Sequence, residues 1–354
     1  MAIHSLEDIA SFVRDLGSAC SAILMKDNLL FAGSHEGVLI CWNNDGDELW
    51  RTEVMGPISD IALDESLVLV TASAKIHAFN SDEGNLSWSY ELEGASDFVV
   101  AKEGEIWASS SVYELEVSDF IESTIWNFNQ NGDVVGKWII DERPWILGLH
   151  NEGGIVLGLG RPRCGYLRIR SGEEPVHKTL DTDSPVTCGF CESPTKFVLG
   201  HANGTISIVN DGKKSTYSSD DDSLITAVST SREGWIAGNE NGVIRAYSRV
   251  VIRPGSIDTI TECSGYAWIS SWDGINSTLF QCNQKGEELE ISHNSRLLQS
   301  CHSNEKMLLG DGLGRVFMIE NQVVKRRVKQ VAQNTDKQTR NSELRARLRM
   351  LRKQ

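Results

Sequence analysis

One structural unit recurs along the chain with a period of about 40 residues. Each copy contains an apolar strand, a short turn with glycine, a second apolar strand, another glycine-containing turn and a third strand. An apolar residue stands two positions after the start of the second strand in all eight copies. These residues are Leu39, Ile76, Ile125, Leu167, Ile206, Ile244, Leu279 and Val316. The regularity indicates that every copy forms the same structure.

A period near 40 with several strands per copy is typical of a β-propeller, in which four-stranded sheets surround a channel. Turn glycines stand where hairpins require a positive φ: Gly46, Gly84, Gly132, Gly212 and Gly286. Continuous apolar runs such as residues 29–32 suit sheets that are buried on both faces. We therefore predict an all-β, eight-bladed β-propeller over residues 18–330. Seven blades with an accessory sheet are the alternative.

Residues 1–17 are predicted to form an amphipathic helix before the propeller. Ser5 is a suitable N-cap, and Glu7 follows in the first turn, where the helix dipole favours an acid. The apolar residues at helical spacing are Leu6, Ile9, Val13 and Leu16. We expect this face to pack on the propeller, with docking of a separate partner as the alternative.

The last strand is predicted at Val323–Lys329, where apolar and basic residues alternate. With the first strand beginning near Ala19, both terminal blades are complete. We therefore expect blade one to pack on blade eight with no strand exchanged across the ring.

Charge is distributed unevenly along the chain. The formal net charge is −15, but residues 325–354 carry eleven basic and two acidic residues, a net +9, which leaves −24 on the rest. Residues 331–354 form a basic tail, helical or disordered, with leucines at helical spacing beside arginines. Its candidate partner-binding residues are Arg340, Leu344, Arg345, Leu348, Arg349, Leu351 and Arg352. The tail is expected to bind its own acidic body or a partner groove, or to bind nucleic acid through residues 325–354.

The third repeat contains an elongated turn, residues 109–123, with about ten more residues than its counterparts. Elongated turns on a rigid scaffold often bind partners. The candidate residues are Tyr113, Glu114, Glu116, Asp119 and Phe120. The alternative is a neutral insertion in which Tyr113, Phe120 and Ile121 cover the next blade.

Catalytic and metal-binding patterns are missing from the sequence. The eight histidines include no HExxH motif, and there is no nucleophile elbow, phosphate loop or dinucleotide fingerprint. The eight cysteines are expected to be reduced, and Cys188 and Cys191 to lie on opposite faces of one strand. We expect no catalytic, metal or cofactor site. An enzyme or small-ligand binder acting at the channel mouth is the alternative.

No apolar run approaches the roughly 20 residues that span a bilayer. Glu7 and Asp8 stand where a secretory signal would be basic and then apolar. We expect a cytoplasmic protein with no membrane span.

Two repeats resemble those of the pyrroloquinoline-quinone-type propellers, which place a tryptophan four residues after the turn glycine. The matching segments are Gly46-Asp-Glu-Leu-Trp50 and Gly84-Asn-Leu-Ser-Trp88. In four other blades this position is occupied by Gly136, Val176, Thr216 and Glu290. The resemblance implies the repeat without the docking tryptophan in those blades. The family's dehydrogenases have a vicinal disulfide over their cofactor, and this chain has no adjacent cysteines, so cofactor binding does not carry over.

The overall design also resembles WD-repeat proteins, although the single Trp-Asp dipeptide, Trp272-Asp273, lies at a turn before a strand. Together these observations predict a non-enzymatic scaffold that binds protein partners. A nucleic-acid-associated protein is the first alternative.

Overall fold

The computed structural model describes residues 4–218, 221–231, 234–246, 249–285 and 288–330. Within these residues, 33 strands form eight sheets. Two strands precede the first repeat, β1 (His4–Ser5) and β2 (Phe12–Asp15). Blade one consists of β3 (Cys20–Lys26), β4 (Leu29–Ser34), β5 (Val38–Asn43) and β6 (Glu48–Glu53), and blade two of β7 (Ile58–Asp64), β8 (Leu67–Ala72), β9 (Lys75–Asn80) and β10 (Leu86–Glu91). Blade three consists of β11 (Ala95–Lys102), β12 (Glu105–Glu114), β13 (Asp119–Phe128) and β14 (Val134–Ile140), and blade four of β15 (Pro144–Leu149), β16 (Ile155–Leu159), β17 (Tyr166–Ile169) and β18 (Val176–Lys178). Blade five consists of β19 (Val186–Ser193), β20 (Lys196–His201), β21 (Ile206–Asn210) and β22 (Lys213–Tyr217), and blade six of β23 (Ile225–Ser231), β24 (Gly234–Asn239), β25 (Val243–Ala246) and β26 (Arg249–Ile252). Blade seven consists of β27 (Ser256–Cys263), β28 (Tyr266–Trp272), β29 (Ser277–Cys282) and β30 (Glu288–His293). Blade eight contains β31 (Leu297–Ser303), β32 (Lys306–Asp311) and β33 (Arg315–Glu320).

The blades form a closed ring. The first strand of each blade contacts the first strand of the next, from β3 through β7, β11, β15, β19, β23, β27 and β31, and β31 contacts β3. This confirms the all-β, eight-bladed propeller over the seven-bladed alternative. No helix in the described residues is both long and apolar enough to cross a membrane.

Ring closure differs from the prediction. β2 pairs antiparallel with β33, placing Phe12 opposite Met318, and so supplies the fourth strand of blade eight. The predicted N-terminal helix is therefore wrong over most of its length: α1 covers only Leu6–Ile9. A short isolated helix is marginal, whereas a strand at an open sheet edge gains a ladder of hydrogen bonds. Ser5 does act as the N-cap, accepting a hydrogen bond from the Asp8 backbone at 3.2 Å.

The predicted last strand, Val323–Lys329, is also wrong, because residues 321–330 are helical (α2). The outer position of blade eight is already filled by β2. Val324 is buried against Leu6 and Ile9 of α1. The Arg327 guanidinium donates to the Asp8 carbonyl oxygen at 3.1 Å. The two chain segments that flank the repeats therefore pack on each other beside blades seven and eight.

Apolar side chains fill the seams between blades. Seven of the eight predicted apolar residues face the next blade, as Ile206 does against Ile225. Leu167 is the exception and packs toward blade three. In blade four Tyr166 lies opposite Gly158, as Leu39 lies opposite Gly33 in blade one. The sequence pattern therefore selected Leu167 in blade four, whereas the structural counterpart of Leu39 is Tyr166. A shift of one residue reverses the face of every side chain in a strand.

Aromatic side chains of outer strands dock on the next blade. The Trp50 indole nitrogen donates to the Ser81 carbonyl at 2.8 Å, and a Cβ at Gly84 would lie 2.6 Å from its ring. Trp88 donates to the Gln130 carbonyl at 2.8 Å and lies on Gly132 in the same way. The turn glycines are thus required both by positive φ and by the aromatic ring of the preceding blade.

Two further seams carry an aromatic that the sequence pattern missed. The Trp138 indole nitrogen donates to the Glu173 carbonyl at 3.1 Å, and its ring covers Gly136, where the repeat places tryptophan. The Phe12 ring packs on Gly46, so the closing strand β2 also supplies a docking aromatic. The loss of docking tryptophan inferred for blade three is therefore wrong.

The cysteines are free, as predicted. Cys188 and Cys191 both lie on β19, and they face opposite neighbours, blade six and blade four. Burial raises the pKa of Cys188 to about 12 and that of Cys191 to about 11. Both thiols are therefore protonated packing groups at neutral pH.

Candidate interaction site on the upper face

The elongated segment of blade three is a hairpin that extends beyond its sheet. We call the face that carries the turns from second to third strands, and the links between blades, the upper face. The insertion lengthens β12 and β13 to ten residues each and leaves a turn of residues 115–118, so it adds strand and not loop. We name residues 112–122 the blade-three hairpin. Its exposed apolar side chains are Tyr113, Leu115, Val117 and Ile121.

Aromatic rings and one arginine stack at the base of this hairpin. The Tyr113 and Phe120 rings meet edge to face with centroids 5.1 Å apart. The Arg143 guanidinium carbon lies 4.0 Å from the Phe120 ring centroid and 4.8 Å from that of Trp145. Arginine and aromatic side chains are enriched at the energetic centres of protein interfaces. We call these four residues the Arg143 cluster.

An ion pair across the seam fixes the orientation of Arg143. Its terminal nitrogen lies 2.6 Å from Oδ1 of Asp97, and the Ser111 hydroxyl donates to Oδ2 of the same carboxylate. Asp97 is buried, and this desolvation raises its pKa above the usual range, although Ser111 and Arg143 act in the opposite direction. Blade three therefore holds the guanidinium of blade four between two aromatic rings.

A cavity of about 330 Å³ opens beside the cluster at the upper mouth of the ring. Asp119, Phe120, Arg143 and Trp145 form one wall, and residues from blades four, five and six complete it. Among the residues that the structure describes, no three His, Cys, Asp or Glu side chains are grouped to hold a metal ion. Apart from Asp119, Arg143 and Arg161, the side chains that line the cavity are uncharged, which suits contact with an apolar surface.

The structure unites only part of the predicted loop site. Tyr113 and Phe120 are in contact and Asp119 lines the cavity, whereas Glu114 and Glu116 lie toward the hairpin tip. Phe120 covers blade four, which matches the alternative prediction for that side chain, while Tyr113 and Ile121 stay exposed.

Sequence reasoning missed three residues of the site: Asp97, Arg143 and Trp145. They come from neighbouring repeats, and only an alignment of the blades places them side by side. The predicted tail residues Arg340, Leu344, Arg345, Leu348, Arg349, Leu351 and Arg352 lie outside the described residues.

A sequence profile of the family described as outer membrane protein assembly factor BamB matches residues 11–116, less than one third of the chain. The repeats are thus PQQ-like β-propeller repeats, as the sequence resemblance indicated. No curated protein matches the sequence.

Solved structures with a similar fold cover most of the chain. The computationally designed protein Ika8 aligns with a TM-score of 0.70 at 15% identity, over 87% of this chain and 98% of that one. Sqt1 of Saccharomyces cerevisiae gives 0.70 at 12% identity, over 88% and 98%. BamB of Moraxella catarrhalis gives 0.63 at 14% identity, over 87% and 97%. At these identities the similarity shows the fold.

Proposed function

We propose that this protein is a non-enzymatic scaffold whose upper face binds a protein partner through the blade-three hairpin and the Arg143 cluster. The observation that carries the proposal is the group of exposed apolar side chains on a hairpin whose base is braced by an ion pair. A propeller fold is typical of interaction scaffolds. The expected cytoplasmic location stays a prediction.

The composition of the hairpin supports binding of a basic and apolar partner surface. Residues 113–122 contain Glu114, Glu116, Asp119 and Glu122 and no basic residue. Leu115 and Val117 stand exposed between these acids. An interface with an apolar centre and a charged rim has this arrangement.

Capture of partners by the purified chain, identified by mass spectrometry, tests the site. We expect the double variant Leu115→Asp, Val117→Asp to lose the principal partner with its melting temperature unchanged, because both side chains are solvated. The matched control is Leu313→Asp. Leu313 lies in the corresponding turn of blade eight and is 59% exposed, against 61% for Val117. Retention of the principal partner by the hairpin variant would contradict the proposal.

The basic tail is the second part of the proposal. Removing residues 331–354 is expected to abolish binding of the main partner and to leave the melting temperature nearly unchanged. A large fall in melting temperature would instead favour docking of the tail on its own propeller. Loss of the captured proteins on nuclease treatment would favour nucleic acid as the ligand.

A further inference from the structure

The seam between blades four and five lacks the outer-strand aromatic that docks at four other seams, through Trp50, Trp88, Trp138 and Phe12. On β18, Val176 pairs with Arg168, as Trp50 pairs with Cys41 in blade one. Val176 is exposed, and β18 is only three residues long. The outer strand of blade four therefore brings no ring to this seam, where the Tyr166 ring of β17 lies edge to face on Phe197 with centroids 5.2 Å apart.

A cavity of about 570 Å³ occupies the seam. Tyr166, Phe197 and Val209 form its apolar floor, and the turn residues Asp211 and Gly212 form part of its wall. A Cβ at Gly212 would meet no atom within 4 Å, whereas one at Gly84 meets the Trp50 ring. The cavity thus coincides with the place where the repeat docks an indole.

The residue whose carbonyl accepts the indole N–H in blade two has a counterpart in blade five. The Asp211 nitrogen donates to the Thr195 carbonyl at 2.9 Å, as the Ser81 nitrogen donates to that of Ser66 at 2.8 Å. Asp211 is therefore the counterpart of Ser81, whose carbonyl accepts the Trp50 indole N–H. Asp211 has a positive φ of 48°, unlike Ser81, so the match covers the amide nitrogen and not the direction of the carbonyl.

Neighbouring seams show side chains in the comparable place. Tyr217 lies against Trp235 between blades five and six, with ring centroids 5.3 Å apart. Between blades six and seven, Arg253 lies 4.1 Å from the Phe280 ring centroid. The next two seams are thus occupied by side chains other than an outer-strand tryptophan.

The rim of the cavity is basic although the body of the protein is acidic. Three cationic side chains line it: Arg168, Lys178 and Lys214. Two carboxylates, Glu152 and Asp211, oppose them, and Glu152 already pairs with Arg168 at 3.2 Å and with Arg170. The pKa of His150 is lowered, first by burial and then by Arg168. An anionic group beside the ring of a ligand is therefore favoured.

We propose that the seam cavity binds the indole of a tryptophan side chain presented by a partner protein, with acidic residues next to that tryptophan. The bound ring would complete the seam as Trp50 and Trp88 complete theirs. Lys178 would face the neighbouring acids together with Lys214, whose ammonium group donates to the Thr179 carbonyl at 2.5 Å in the free protein. This site is separate from the blade-three hairpin and does not depend on the function proposed for it.

Fluorescence polarisation with a labelled Asp-Glu-Trp-Asp peptide and the full chain tests the proposal. We expect saturable binding that is lost when alanine replaces the peptide tryptophan. Val176→Trp should place an indole of the protein itself in the seam cavity. It should weaken binding of the peptide by at least roughly tenfold and raise the melting temperature by about 2–4 °C. Leu86→Trp, at an outer-strand position of blade two that is 56% exposed against 37% for Val176, is the control and should leave peptide affinity unchanged.

The double variant Lys178→Glu, Lys214→Glu keeps the test decisive if Val176→Trp does not fold, because both lysines are exposed. It should weaken the peptide by at least roughly tenfold and leave the melting temperature unchanged. Failure of the wild type to bind the peptide, or equal affinity in the double variant, overturns the proposal. Tighter binding of indole-3-acetate than of the peptide would overturn the assignment to a protein partner.

Discussion

The same ion pair joins two seams that lie half a ring apart. Arg143 precedes the first strand of blade four and binds Asp97 of blade three at 2.6 Å. Arg296 precedes the first strand of blade eight and binds Asp258 of blade seven through two bonds of 2.8 and 2.9 Å. Register places the two pairs at equivalent positions of the repeat.

The two ion pairs differ in how far they are shielded from solvent. The Arg143 side chain is 27% exposed beneath Phe120, whereas that of Arg296 is 49% exposed. Blade seven has a short turn, residues 273–276, where blade three has its hairpin. The ion pair thus occurs at two seams, and at one of them the insertion covers it and places it beside the candidate interaction site. The insertion, and not the repeat, distinguishes blade three.

The largest expected difference is between Asp97→Ala and Asp258→Ala. The first leaves a partly buried guanidinium without its carboxylate and should lower the free energy of unfolding by about 3 kcal/mol. The second removes a partner from an exposed arginine and should cost about 0–1 kcal/mol. Urea unfolding of both variants measures the two values. Equal losses would mean that the hairpin does not shield the pair.

Phe120→Ala should expose the Arg143–Asp97 ion pair to solvent, as the Arg296–Asp258 ion pair is exposed. We expect a loss of about 1–2 kcal/mol, less than for a fully buried phenylalanine, because Phe120 is half-buried. The rate at which phenylglyoxal modifies Arg143, followed by mass spectrometry, should rise toward that of Arg296. Leu313→Ala is the control and should leave both rates unchanged. An unaltered Arg143 rate would count against shielding by Phe120.

The smallest expected effect is a dependence of stability on pH that arises from Asp97. The pKa of Asp97 is raised in the folded protein, so the fold retains a proton that the unfolded chain loses above its ordinary value of 3.8. The contribution of this group to stability is therefore full below that value and falls as pH rises through the folded pKa.

Urea unfolding of the wild type and of Asp97→Asn between about pH 4 and pH 7 measures this dependence. The stability of the wild type relative to Asp97→Asn should decline as pH rises. An opposite slope would show that Arg143 outweighs desolvation at Asp97.

The architecture was predictable because its signals are local. A turn glycine such as Gly84 and a docking residue such as Trp50 lie within one repeat, and their spacing is visible in the sequence. The closing strand was not predictable in this way. Val13 and Leu16 fit a helical spacing with Leu6, and nothing near them in sequence shows that Phe12 pairs with Met318.

The candidate site was predictable in outline only. The extra length of the third repeat is visible in the sequence, and it identified Tyr113 and Phe120. The partners of these rings depend on which blade lies beside which. Arg143 and Trp145 flank the proline that begins β15, and Asp97 is one acid among many. Contacts in the folded structure, and not the composition of the sequence, identify these three residues.

The pairing of β2 with β33 also orders events during synthesis. The residues that complete the last blade leave the ribosome first and wait for a partner about 300 residues behind them. At translation rates of about 5–20 residues per second, the wait lasts roughly 15–60 s. Throughout it, blade one presents the apolar face that later packs on blade eight. The nascent ring is therefore an open chain of sheets whose exposed end is a natural substrate for chaperones until the final hairpin emerges.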